Sequence, residues 1–190
     1  MADVSNVEVN QLRSSPYLVY VEGDTDERIL RTWGRTLGTE AKIGKLCFRA
    51  MRGGNKREME KDTDKHFGSV KQIIPQVKRL MIFDYDTAET AFHPEETNEV
   101  LFEWKRKNIE NYLLVPEAWK KAVRQVLGSG NGLFLLPFYQ IIDQFFAGQN
   151  LNLPPGKSWV DLDSNIFELV DGKKILFHSK DSLFNKLRQH

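Results

Sequence analysis

An α/β fold with a mainly parallel sheet is predicted by three features of the sequence. Apolar-rich runs of strand length occur at Leu18-Val19-Tyr20-Val21, at Leu46 to Met51 and at Val77 to Phe83. Segments with helical spacing separate them, as at Ile29, Leu30 and Trp33. The order strand, helix, strand, helix, strand calls for right-handed crossovers, which make the strands parallel and align their carboxyl ends.

The chain's 190 residues can bury a sizeable core and suggest one domain with an elaboration. Hydrophobic and charged contents of 41% and 28% are those of a globular protein, and no run approaches a membrane span. The stretch MADVSNVEVNQ lacks the basic and apolar character of a secretory signal. A single cysteine, Cys47, suits a reducing cytoplasm, and the four scattered histidines do not suggest zinc. The net charge of +1 hides an asymmetry between a basic stretch over 42–61 and an acidic one over 81–103. Such runs are commonly solvated faces; the alternative is a phosphate-attracting flank beside a cation site.

Taken in order, the first dozen residues are polar and expected to be loosely held. A first strand is expected over Tyr17 to Glu22 and a first helix over Asp24 to Leu37, ended by Gly38. The second strand ends at Arg52-Gly53-Gly54-Asn55, where the glycines permit a tight turn or close approach to a ligand. A second helix begins at Lys56 or Asp64 and stops near Pro75. The third strand runs straight into Asp84-Tyr85-Asp86. Thr87 to Val100, polar and acidic, reads as a loop with helical turns. Helices are expected from Pro116 to Leu127 and Pro137 to Phe146, with a loop over Asn152 to Ser158. Trp159, Val160, Leu162, Ile166, Phe167 and Leu169 show no clear period, and Lys174 to Phe177 reads as a short strand or a helix start.

Acids at strand ends carry the chemistry. Asp24 or Thr25 can cap the first helix, but capping does not explain Glu22 at the end of a buried strand. Asp84 and Asp86, two apart on an extended chain, face the same side. If the first and third strands are neighbours, Glu22 converges with them at the edge where open α/β sheets bind ligands. Gathered carboxylates must protonate or share a cation. Oxygen-only ligands favour Mg²⁺ or Mn²⁺, which commonly use one or two protein carboxylates with waters and substrate phosphates. Two such ions can promote phosphodiester cleavage.

These segments resemble a known family. Val21-Glu22-Gly23 with Asp26, and Met81-Ile82-Phe83-Asp84-Tyr85-Asp86, are similar to the two acidic motifs of Toprim domains. Lys107-Asn108-Ile109-Glu110-Asn111-Tyr112-Leu113-Leu114 followed by Pro116 resembles a segment of Toprim nucleases of the OLD (overcoming lysogenization defect) type. It also resembles stand-alone Toprim effectors of ATPase-coupled anti-phage defence, of the kind found in PARIS systems. The resemblance implies a Toprim-like core over 1–115, with a central, mainly parallel four-stranded sheet flanked by helices, and a helical C-terminal elaboration over 116–190. It further implies Glu22 as general base or metal ligand, and Asp26, Asp84, Asp86 and Glu110 as ligands of Mg²⁺ or Mn²⁺, with two ions expected. Lys174, or its neighbour Lys173, would face the scissile phosphate, although an exposed lysine pair in a turn reads equally well. Arg52, Lys56 and Arg57, with Lys105, Arg106 and Lys107, are the candidate nucleic-acid contacts.

The expected function is therefore a cytoplasmic metal-dependent nuclease acting on DNA or RNA, a defence effector controlled by a separate ABC-type ATPase. No ATPase signature of the form Gly-x-x-x-x-Gly-Lys-Ser/Thr is present. Homo-oligomerisation is left open, as is whether the chain is a fragment or a short stand-alone member. The rival readings are a non-catalytic Toprim-shaped adaptor docking on an ATPase and a phosphatase of small esters. Topoisomerase and primase activities rank lower, because each needs a further domain.

Overall fold

Each strand forms where a short apolar run is flanked by turns, and the computed structural model shows how those runs combine. It describes residues 4–93, 100–128, 132–151, 156 and 170–190. The chain divides into two compact units, 1–104 and 105–190.

The first unit contains α1 (Asn6–Ser14), β1 (Tyr17–Val21), α2 (Asp24–Thr36), α3 (Glu40–Ile43), β2 (Cys47–Ala50), α4 (Lys56–Ile73), β3 (Lys78–Phe83) and β4 (Leu101–Glu103). The strands form one four-stranded sheet in the order β2-β1-β3-β4, and every pairing is parallel. An α/β fold with an all-parallel sheet flanked by helices is thus the architecture, as expected for a Toprim-like domain.

Central β1 is buried on both faces, which is why it reads as an unbroken apolar run rather than an alternating one. Leu18 and Tyr20 pack with Leu12 of α1, Val70 of α4 and Ile74 on one side. Val19, Val21 and Ile82 pack with Leu30 of α2 and with Leu46, Phe48 and Trp104 on the other. Full burial of one such aliphatic side chain stabilises the fold by about 1.5–3 kcal/mol.

One local expectation is corrected. The N-terminal segment is not loose: Ser5 caps α1, and Leu12 is fully buried. Glu8 of the same helix reaches Arg49 of β2 at 3.2 Å and His66 of α4 at 3.4 Å. Composition cannot reveal such long-range pairing. Strand β4, at three residues, is too short to display a period of two in the sequence.

The second unit contains a 3₁₀ segment (Ile109–Leu113), α5 (Pro116–Leu127), α6 (Gly132–Gly148), a π-helical turn (Lys174–His178) and α7 (Leu183–Arg188). Its core gathers Leu114, Ile142, Phe145, Phe146, Leu151, Leu176 and Leu183. Helix α6 begins at Gly132, ahead of the expected Pro137, and carries that proline inside it. The division after Trp104 assigns the Ile109–Leu114 segment to this unit rather than to the first. Glu95, Glu96, Glu99, the Ser129-Gly130-Asn131 stretch, the Asn152–Ser158 loop apart from Gly156, and the run from Trp159 to Leu169 lie outside the described residues. Among the described residues, no helix is long and apolar enough to cross a membrane.

Candidate acidic site at the carboxyl edge of the sheet

From β1 the chain crosses to β2 on one side of the sheet and later returns to β3 on the other. The carboxyl ends of β1 and β3 therefore flank a topological switch point, the place where open parallel sheets form a ligand crevice. Glu22 and Asp84 stand at those two ends. The Asp84 N–H donates to Glu22 Oε1 at 2.8 Å, so strand ends 62 residues apart in sequence meet directly.

Burial is the largest influence on Glu22 and disfavours its charged form; Asp86 and Asp26 add like charge. The Asp84 N–H and the Lys56 ammonium oppose them, and the carboxyl ends up pushed to about 7. The two aspartates are thus close enough to act on Glu22. Asp26, in the first turn of α2, is 3% exposed, and its Oδ2 accepts from the Gly23 N–H at 3.1 Å. It forms the returning half of a capping box whose N-cap is Gly23, while Asp24 is exposed. Asp84 is buried, and Asp86 has a φ of 56°, a left-handed conformation that aspartate tolerates better than most side chains.

The structure places Lys56 differently from its basic neighbours. It is 6% exposed, and its ammonium lies 2.6 Å from Glu103 Oε1 and 2.9 Å from the carbonyl oxygen of Tyr85. Lys56 therefore corrects the expectation of a surface phosphate contact: its donors are committed inside the fold. Glu103 also accepts from the Phe92 N–H, at 3.2 and 3.3 Å to its two oxygens. Sequence reasoning missed this role of Glu103, and no local signal could have found it. Arg52 is exposed. Arg57 is exposed too, with one nitrogen 3.3 Å from Glu60 and its guanidinium over the Phe92 ring. The glycine pair before α4 serves the turn. Gly53 has a φ of 140°, and a Cβ there would sit 2.9 Å from the Met59 nitrogen.

In the second unit, Glu110 is fully buried, as are Ile109 and Leu114. The asparagines around it tie this segment to the turn before Lys173 and Lys174. Asn111 Oδ1 accepts from the Gly172 N–H at 2.7 Å, and its amide donates to the Val170 carbonyl at 3.0 Å. Asn108 donates to Asp171 Oδ1 at 3.3 Å. Lys174 is exposed, with its backbone N–H on Asp171 Oδ1, and Lys173 is half-buried. Lys105 is exposed and Lys107 half-buried. Arg106 stacks over Tyr112 at 4.5 Å and donates to the Asn111 carbonyl at 3.0 Å. Desolvation holds its pKa below the usual arginine value, so only part of the 105–107 run faces solvent.

Among the described residues, no three His, Cys, Asp or Glu side chains are already gathered as a metal-ligand set. Magnesium does not require one, since it keeps waters and takes one or two carboxylates with substrate oxygens. The donor set at the switch point, made of carboxylate oxygens, fits such an ion in chemistry. Compared with known proteins, the chain matches no family model, no curated protein and no solved structure. The class that fold and site define is an all-parallel α/β domain with carboxylates at its switch point.

Proposed function

We propose that this protein is a Mg²⁺- or Mn²⁺-dependent nuclease of Toprim type that hydrolyses phosphodiester bonds in DNA or RNA. The observation that carries the proposal is the meeting of Glu22 with the Asp84 backbone at the switch point, where burial, and after it the charges of Asp86 and Asp26, raise the Glu22 pKa. Asp84 and Asp86 would hold the ion, with Asp26 in support. A bound ion would offset the charge of these carboxylates and polarise the substrate phosphate.

Glu22 is suited to accept the proton of the attacking water. Burial and the neighbouring acids make its carboxylate more basic than an ordinary one, and a bound cation would favour the ionised form that accepts the proton. Glu110 and Lys174 belong to the second unit, and their contributions are read by substitution. Arg52, Lys105 and Lys107 are the candidate backbone contacts. The resemblance extends the proposal to a defence effector restrained or triggered by a separate ABC-type ATPase.

One observation favours the adaptor reading instead: Glu22 and Asp26 already have structural work, as acceptor for Asp84 and as cap of α2. Plasmid DNA and tRNA incubated with Mg²⁺ or Mn²⁺ decide between the two. The nuclease reading expects cleavage by the wild-type protein and none by Glu22→Gln. An intact substrate under all conditions, with the ATPase supplied, would leave the adaptor.

A further inference from the structure

We infer that the buried Lys56–Glu103 pair positions the Asp84-Tyr85-Asp86 turn for cation binding. The inference deepens the metal-dependent reading and rests on it. Lys56 is the first residue of α4 and Glu103 the last of β4. The lysine ammonium also bonds the carbonyl of Tyr85, the residue between the two aspartates, and Glu103 holds the Phe92 N–H. Three segments are thereby tied at one point: the start of α4, the loop after β3 and the end of β4.

Two physical arguments favour positioning over stability. A buried ion pair seldom stabilises a fold more than apolar side chains of similar volume would, because both charges must be desolvated. The place would suit apolar groups, since the Lys56 ammonium lies 5.6 Å from the centre of the Phe92 ring. Asp86, immediately after the bonded carbonyl, has its φ at 56°. Aspartate tolerates this conformation better than most side chains, and a bond to the preceding carbonyl helps to hold it there. Lys56 makes that bond, to the carbonyl of Tyr85.

The alternative role, simple neutralisation of the acidic cluster, predicts the opposite sign. Removing a positive charge beside the ligands would then tighten cation binding. Positioning predicts weaker binding. Lys56→Met tests the sign, but it leaves Glu103 buried without its cation. The double variant Lys56→Met/Glu103→Met removes the pair with no change in net charge and keeps an apolar filling.

Mn²⁺ binding to the full chain, followed by electron paramagnetic resonance and by calorimetry, is the readout, with circular dichroism and thermal melting reporting the fold. The expected result for the double variant is a native spectrum, an unchanged or higher melting temperature, and Mn²⁺ affinity lower by about 10–100-fold. Lys56→Met is expected to lose affinity as well. Wild-type affinity in the double variant, or tighter binding by Lys56→Met, overturns the positioning role while leaving the metal site standing. No Mn²⁺ binding by the wild-type protein overturns the metal reading and this inference with it.

Discussion

Glu22→Gln makes the energetic character of the site measurable without any substrate. Glutamine keeps an Oε1 able to accept from the Asp84 N–H, so the link between the ends of β1 and β3 survives while the charge is removed. In the unfolded chain the glutamate titrates near 4.5, and in the fold near 7. At about 1.4 kcal/mol per pH unit, ionising Glu22 in the fold costs roughly 3 kcal/mol more than ionising it in the unfolded chain. The sign follows from proton counting. Below about pH 4.5 both states hold the proton, and the group favours neither. Between there and pH 7 the folded state binds more protons, so stability contributed by Glu22 falls as pH rises. Above pH 7 the loss is complete. Glu22→Gln should therefore match wild type at about pH 4.5 and exceed it by roughly 2–3 kcal/mol at about pH 8. Denaturant unfolding at a series of pH values measures the difference. Mg²⁺ should narrow the gap at the alkaline end, because a cation stabilises the charged form. A difference independent of pH would refute the reasoning, since it would mean that Glu22 is not ionising in a desolvated, like-charged setting.

Other consequences can be checked separately. Removing the Glu8 charge by Glu8→Gln should destabilise the protein by about 2–4 kcal/mol near neutrality, as the partly buried link to Arg49 and His66 is lost. Burial works against Glu8, but His66, Arg49 and the Ser5 N–H prevail and hold its carboxyl below the ordinary value. The stabilisation is thus present above the unfolded pKa and lost on acidification through the folded one, so the Glu8→Gln deficit should shrink in acid denaturation series. Gly172→Ala would drive a Cβ onto Asn111 Oδ1 and to 2.9 Å from its backbone nitrogen, costing about 1–3 kcal/mol in denaturant unfolding. Cys47, buried and with its thiol pushed up to about 11, should resist Ellman's reagent in the native protein and react on unfolding.

What could be read from the sequence, and what could not, follows from the range of the interactions concerned. Runs such as Leu18 to Val21 carry their own signature, and their alternation with helices implies a parallel sheet, so Glu22 and Asp84 could be assigned to the same edge before any coordinates. The pairing itself, an N–H of one strand end on the carboxylate of another, needed the order β2-β1-β3-β4. Lys56 looked like Arg52 and Arg57 because burial is set by its partner, and Glu103 lies 47 residues away. The same holds for Asn111, whose side chain is satisfied by Gly172 and Val170 from the far end of its unit. Residues whose role is to bear charge at a strand end are thus legible locally, whereas residues that hold those charges in place are legible only through the fold. The distinction has a consequence for mutagenesis. Exchanges at Glu22, Asp84 or Asp86 should alter the acidic chemistry and leave the sheet intact, while exchanges at Lys56 should displace a loop first and change chemistry only through that displacement.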